Sequence, residues 1–135
     1  MLKKITLFGL IALLICGCDP GALDIYEVDN QSDWKIHVGY KQGNVDTVFM
    51  LAPKELKIIC NNAYLGVASD QQDGFLYCFD SLYMDVNDTL KIAMDYLQRE
   101  NWDLKITKGN TRMGDGGTAR YTLHITNNKI VRKLE

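Results

Sequence analysis

The clearest pattern of apolar and polar positions runs from Trp34 to Lys41. Apolar side chains occupy every even position of this stretch, and polar residues or glycine occupy every odd one. Alternation with a period of two residues is typical of a β-strand that has one buried and one solvated face. Antiparallel sheets commonly contain such strands. We therefore predict a strand here whose core-facing residues are Trp34, Ile36, Val38 and Tyr40.

Shorter runs with the same period occur along the rest of the chain. Clusters of Gly, Pro, Asn and Asp, such as Asn30–Asp33 and Gln42–Asn44, separate them and predict turns. A partial strand is expected over Ala63–Ala68. The other predicted strands are Leu23–Val28, Val45–Leu51, Glu55–Cys60, Phe75–Phe79, Ser81–Val86, Thr89–Met94, Trp102–Thr107 and Ala119–Thr126.

Three segments do not follow this pattern. Asp95–Asn101 is polar and fits either one helical turn or a loop. Lys108–Gly117 is rich in glycine and predicts a flexible hairpin loop. Asn127 is placed to cap a short terminal helix that runs to Glu135.

Short strands at intervals of about 8–12 residues, without a helix of ordinary length, are typical of an all-β domain. Strands with two different faces need a second sheet to cover their apolar side. The fold class is therefore mainly β, an antiparallel β-sandwich of about eight short strands, immunoglobulin-like in its general architecture. The sandwich is expected to span residues 23–135 as one domain.

The first residues have the composition of an export signal. Lys3 and Lys4 give a positive start, and the uncharged, apolar run Ile5–Ile15 follows. Spanning a bilayer takes about 20 apolar residues, so this run is too short for a transmembrane helix. An ordinary signal-peptidase site would need a small residue where Ile15 stands.

The run ends in Ile15-Cys16-Gly17-Cys18, which resembles the lipobox of bacterial lipoproteins. The resemblance implies that residues 1–17 are removed and that Cys18 carries a thioether-linked diacylglycerol and an acyl chain such as palmitate. Residues 18–22 would form a tether to the lipid membrane, because acyl chains anchor a protein without a spanning helix. The implied location is the cell membrane or the outer membrane, on the periplasmic or the surface side. Asp19 leaves the choice of membrane open.

A second resemblance covers most of the remaining chain loosely. Phe79–Lys91, Arg120–Asn128 and the turn Val28–Asp33 resemble segments of small Bacteroides-type lipoproteins of unknown function. The resemblance implies an exported, anchored β domain, and also O-glycans at Asp-Ser/Thr-apolar sequences. The acidic tail of those proteins is replaced here by basic residues. The candidate O-glycan positions are Thr47, Ser81 and Thr89.

Charge and cysteine usage narrow the function classes. Without Lys3 and Lys4, the 15 basic residues become 13 against 17 acidic ones, a net charge of −4. This balance argues against a nucleic-acid partner, which needs a basic face. Cys60 and Cys78 would lie in a compartment that permits disulfides. They are expected either to form a bridge closing a loop of about 18 residues, worth about 3 kcal/mol, or to remain buried thiols.

The residues that could carry chemistry are few. His37 and His124, the two histidines, fall on the polar faces of their strands, and no nucleophile elbow accompanies them. The spacing of histidines and cysteines gives no metal site, and no cofactor is expected. The favoured function is a non-catalytic binding or structural module with an envelope protein or glycan as partner. The alternatives are a hydrolase that uses His37 or His124, and a carbohydrate-binding module built from exposed aromatic residues.

Overall fold

A computed structural model describes residues 19–72 and 74–134. The predicted signal peptide and Cys18 lie outside the described residues. Short 3₁₀ turns cover Arg99–Asn101, Thr111–Met113 and Asn127–Lys129. The strands of the described residues are β1 (Gly21–Asn30), β2 (Ile36–Gln42), β3 (Val45–Leu51), β4 (Leu56–Leu65), β5 (Ser81–Asp85), β6 (Leu90–Ile92), β7 (Asp103–Thr107), β8 (Asp115–Ile125) and β9 (Ile130–Arg132).

These strands form a small β-sandwich, which confirms the predicted fold class. One sheet has four strands in the order β4-β1-β8-β7, and a second has three in the order β3-β2-β5. β6 and β9 form a separate pair. Inner-face side chains of both larger sheets belong to one core, in which Tyr26 and Leu123 of the first sheet and Ile36, Val38 and Leu51 of the second are fully buried.

The centre of the four-stranded sheet is the parallel pair β1–β8, whereas the other pairs of described strands are antiparallel. The predicted antiparallel sandwich thus contains one parallel pair of strands. Tyr26 lies opposite Tyr121 in the ladder, and their rings stack with centroids 4.8 Å apart. Burial of every residue from Asp24 to Val28 fits a strand with neighbours on both edges.

The hairpin β2–β3 and the strand β5 agree closely with prediction. β3 has the predicted bounds, and the turn at Gly43 and Asn44 precedes it. Ile36 and Val38 are fully buried, as the alternation predicts. Trp34 is the exception, because it precedes β2 and is 46% exposed.

The predicted strand Phe75–Phe79 is wrong. This segment forms turns, and Leu76 has a φ of 65°, which no extended strand contains. The alternating aromatic side chains pack against Tyr26, and their backbone does not pair with another strand. The ring centroids of Phe75, Tyr77 and Phe79 all lie within 6.4 Å of the Tyr26 ring centroid.

The alternation of Leu56, Ile58 and Cys60 predicts that these three side chains share one face of β4, and this prediction is partly wrong. Cys60 lies opposite Tyr26 and Ile58 opposite Glu27, so Ile59 is the extra residue of a β-bulge. The bulge turns Ile58 to the outer face, where it is 46% exposed, and leaves Ile59 and Cys60 both buried. Periodicity alone gives no sign of this shift.

Both ends of the domain differ from prediction. Gly21 already belongs to β1, so the tether predicted over residues 18–22 ends before it. The predicted terminal helix is instead the 3₁₀ turn Asn127–Lys129 followed by β9, which pairs with β6. The predicted loop Lys108–Gly117 is shorter than expected, because β8 begins at Asp115.

Candidate functional site

A carboxylate buried in the sandwich marks the candidate site. Asp24 lies on β1, on the same inner face as Tyr26, and its side chain has no exposed surface. The Tyr77 hydroxyl donates a hydrogen bond to Asp24 Oδ2 at 2.9 Å, and Asn62 Nδ2 donates to the Tyr77 oxygen at 2.8 Å. Asp24 Oδ1 has no hydrogen-bond partner among the described residues. Burial raises the pKa of Asp24, and the nearby hydroxyls of Tyr77 and Tyr64 offset part of that rise.

Above this carboxylate is a pocket of about 270 Å³, open to solvent. Its position follows from the β1–β4 register, because Asn62 pairs with Asp24 and Tyr64 lies two residues further along β4. Gln71 Nε2 lies 3.4 Å from the Tyr64 hydroxyl, and the Gln71 backbone N–H donates to the Tyr121 hydroxyl at 2.8 Å. The pocket lining is Asn62, Tyr64, Gln71, Gly74 and Tyr77.

The pocket offers two aromatic rings and two side-chain amides at the surface. Amides both donate and accept hydrogen bonds, and a tyrosine ring packs against apolar ligand surface while its hydroxyl stays polar. The volume is near the lower limit of about 300 Å³ for small-molecule pockets. The arrangement therefore suits one small ligand with several hydroxyl groups.

Sequence reasoning missed this site. The signal was the acidic residue Asp24 within the otherwise apolar stretch Ala22–Tyr26, at a position whose neighbours two residues away face the core. The partners of Asp24 come from β4 and from a segment predicted to be a strand, so pattern alone does not bring them together.

We expect Asp24→Asn to increase the free energy of unfolding at pH 7. A raised pKa means that the folded protein holds the Asp24 proton more tightly than the unfolded chain does. Ionisation of Asp24 therefore lowers the free energy of unfolding as the pH rises, first through the pKa of Asp24 in the unfolded chain and then through its pKa in the folded protein. Asparagine carries no charge, so the advantage of the variant should shrink as the pH falls below both pKa values. Urea unfolding of both proteins between pH 3 and pH 8 measures the difference; an advantage that is independent of pH would contradict it.

The structure does not contain the predicted disulfide. Cys60 and Cys78 are free thiols, 6% and 7% exposed, in the same core. Cys78 lies in the turn segment and its thiol hydrogen-bonds to Cys60, which lowers the pKa of Cys60 and, together with burial, raises the pKa of Cys78. The structure agrees with the alternative expectation, in which Cys60 and Cys78 are buried thiols. Cys78 lies in a turn and not in the predicted strand Phe75–Phe79.

Both histidines lie on outer faces, as their positions in the pattern predict. His124 Nδ1 is 2.8 Å from Asp29 Oδ2, and His124 Nε2 is 3.3 Å from Asp103 Oδ2. Neither ring nitrogen meets a hydroxyl or thiol group among the described residues. His37 is exposed on β2, opposite Met50 and Asp85 of its neighbouring strands.

The three candidate O-glycan positions are far from equivalent. Ser81 is exposed at the start of β5. Thr89 is exposed before β6, and its N–H and hydroxyl both donate to Asn87 Oδ1. Thr47 is half-buried on the same face of β3 as Phe49. Modification at each position stays a prediction.

The remaining candidate residues are dispersed. Trp102 is 2% exposed and cannot belong to a surface platform, whereas Tyr77 and Tyr83 are 45% and 49% exposed on different parts of the fold. Asp70 is bound by Arg99, with Arg99 Nε 2.7 Å from Oδ1.

Within residues 19–72 and 74–134, no group of three or more metal-ligating side chains occurs. No helix of these residues has the length and apolar character needed to cross a bilayer.

Comparison with known proteins adds no family to this description. No protein-family model, curated protein or solved structure matches the chain.

Proposed function

We propose that this protein is a lipid-anchored binding module of the cell envelope whose pocket takes a small, hydroxyl-rich ligand such as a single sugar ring. The observation that carries the binding role is the buried Asp24 carboxylate beneath the pocket formed by Asn62, Tyr64, Gln71 and Tyr77. The anchor is proposed from the lipobox-like residues Ile15–Cys18.

A buried carboxylate with one unpartnered oxygen is costly for a small domain. Burying a polar group without a hydrogen bond costs roughly 1–3 kcal/mol on the scale of protein mutations, so an apolar residue at position 24 would stabilise the fold. Asp24 instead accepts a hydrogen bond from the Tyr77 hydroxyl, which fixes the orientation of that ring. A fixed ring binds with a smaller loss of conformational freedom than a mobile one. We infer that the role of Asp24 is to orient Tyr77 for binding.

The pocket chemistry favours a sugar-like ligand over an apolar one. Tyr77 is 45% exposed, so its ring face is accessible to the C–H face of a sugar. Asn62 and Gln71 lie beside it and supply amide groups for vicinal hydroxyls. An apolar ligand would cover the remaining hydrogen-bonding positions of these amides without supplying partners for them, which is unfavourable.

The binding role is tested with the lipidated protein in detergent and a panel of monosaccharides, by saturation-transfer NMR and calorimetry. We expect Tyr77→Phe to weaken the binding of a detected sugar about tenfold, which is about 1.4 kcal/mol, because the hydroxyl that Asp24 orients is lost. Tyr83→Phe removes a hydroxyl from a ring of similar exposure elsewhere and should leave affinity unchanged. Equal effects of the two variants, or no binding across the panel, would contradict the proposed ligand class.

The anchor has a separate test. In cells fed an alkynyl fatty acid, the wild-type protein should incorporate the label and sediment with membranes. Cys18→Ser should lose both properties, because the thioether has no sulfur on which to form. Cys16→Ser is the matched control and should keep the label, because Cys16 is removed with the signal peptide. A labelled Cys18→Ser protein, or an unlabelled wild type with Met1 retained, would contradict the anchor.

A further inference from the structure

One end of the sandwich is defined by the first residues of β1. Gly21 pairs with Leu65 of β4 and Asp115 of β8, and its N–H donates to the Gly114 oxygen at 2.8 Å. The Gly66 N–H donates to the Pro20 oxygen at 2.7 Å. The chain is therefore held by the sandwich from Pro20 onward. We call this region the β1-start end, comprising residues 19–21, 65–67 and 108–116.

Three large apolar side chains at the β1-start end are exposed. Leu65 is 75% exposed, Val67 53% and Met113 82%. They flank the first residues of β1, since Leu65 and Val67 surround Gly66 and Met113 precedes Gly114. The opposite end of β1 carries charged groups beside the exposed Trp34, with an ion pair of 3.1 Å between Lys54 and Asp33 and a hydrogen bond of 2.7 Å between Asn127 and Asp33. The two ends of the domain thus differ in chemistry.

The chain length between the proposed anchor and this end is very short. Only Asp19 lies between Cys18 and Pro20, so the Cα atoms of Cys18 and Pro20 are at most about 7 Å apart. Each headgroup layer of a bilayer is roughly 5–8 Å thick. If acyl chains hold Cys18 at the base of that layer, Pro20 lies within the layer or at most about 2 Å beyond its outer boundary. The β1-start end is then the part of the domain that must meet the lipid.

We infer that the β1-start end docks on the bilayer surface, with Leu65, Val67 and Met113 buried in the interfacial region, and that this contact holds the domain upright with the opposite end of β1 outward. The inference rests on the proposed anchor at Cys18. Removing these apolar side chains from water is favourable. The patch is too small to bind the bilayer firmly by itself, but the acyl chains hold it at the membrane surface.

The charged groups near the patch are compatible with this contact. Lys108 and Arg112 are exposed in the loop before β8, and long basic side chains extend from an apolar surface to phosphate groups. Asp115 is directed back into its own loop, where Oδ1 accepts the Gly117 N–H at 2.8 Å. Asp19 is the exposed carboxylate on the tether side.

The experiment uses the full-length lipidated protein in phosphatidylethanolamine–phosphatidylglycerol vesicles that contain a nitroxide-labelled lipid as quencher. A polar fluorophore is attached at Met113→Cys, or at Lys35→Cys near the opposite end of β1, where Lys35 is exposed. Unsubstituted protein measures any labelling of the buried Cys60 and Cys78. We expect the label at position 113 to lose most of its fluorescence and the label at position 35 to lose little.

A second set of variants tests the apolar contacts directly. Leu65→Asn with Val67→Asn should reduce quenching at position 113 towards the level at position 35. Val48→Asn with Met50→Asn is the matched control, because these side chains are 64% and 51% exposed on β3, and it should leave the quenching unchanged.

The outcomes separate this inference from the anchor. If mass spectrometry shows acylated protein that floats with the vesicles, but positions 113 and 35 are quenched equally, the docking is wrong and the anchor stands. Unchanged quenching in the Leu65→Asn, Val67→Asn variant also overturns the docking. If the protein carries no acyl chain and does not float, both proposals fail.

Discussion

Tyr26→Ala should destabilise the protein by about 4 kcal/mol, the cost of removing a buried aromatic side chain and leaving a cavity. Tyr26 has no exposed surface and stacks on Tyr121 at a centroid distance of 4.8 Å. It also contacts Trp102 and the three aromatic residues of the 75–79 segment. Losing this ring removes the surface on which that segment packs. Urea unfolding followed by Trp102 fluorescence measures the change.

Tyr26→Phe is the matched control, and it should be neutral or slightly stabilising. The Tyr26 hydroxyl is buried without a hydrogen-bond partner among the described residues. Removing a buried polar atom that makes no hydrogen bond relieves its desolvation cost while the ring contacts remain. A loss of more than about 1 kcal/mol in Tyr26→Phe, the usual net value of a hydrogen bond, would show that the hydroxyl has a partner.

Asn30→Ala is expected to cost about 3 kcal/mol, because it leaves several buried backbone groups without partners. Asn30 ends β1 and is fully buried. Its Nδ2 donates to the Trp34 oxygen at 2.7 Å and to the Ala52 oxygen at 2.9 Å, and its Oδ1 accepts the Ser32 N–H at 3.1 Å and the Ser32 hydroxyl at 2.6 Å. One side chain thus joins β1, the following turn and the end of β3.

The control for this prediction is Asn44→Ala in the β2–β3 turn. Asn44 is exposed, and surface substitutions of this kind usually change stability by less than about 0.5 kcal/mol. Chemical denaturation of the three proteins under identical conditions compares them. Similar midpoints for Asn30→Ala and Asn44→Ala would mean that the hydrogen bonds of Asn30 are replaced by water.

The alternation of apolar and polar residues correctly predicts the β2–β3 hairpin and the buried face of β8. The β2–β3 hairpin follows from strict alternation and a Gly43 turn with a φ of 58°, which glycine adopts without steric cost. The burial of Tyr121, Leu123 and Ile125 follows from the same period. Each of these features depends on residues close together in the chain.

The features that escaped prediction depend on partners distant in sequence. The bulge at Ile59 is visible only once β4 is paired with β1. The segment 75–79 has the aromatic alternation of a strand, but the Tyr26 ring holds it as turns. The Asp24 site combines residues of β1, β4 and the 75–79 segment. Because this segment was predicted to be a strand, the alternation pattern gave no sign that Tyr77 lies beside Asp24.

The parallel ladder between β1 and β8 has a consequence for biogenesis. Tyr26 is synthesised 95 residues before its ladder partner Tyr121. Structures dominated by such distant pairings form slowly, because a long loop must close before the contacts stabilise it. A nascent chain therefore cannot complete its four-stranded sheet before β8 has been made. Chains truncated before β8 should be rapidly degraded, because β1 would lack its central ladder partner.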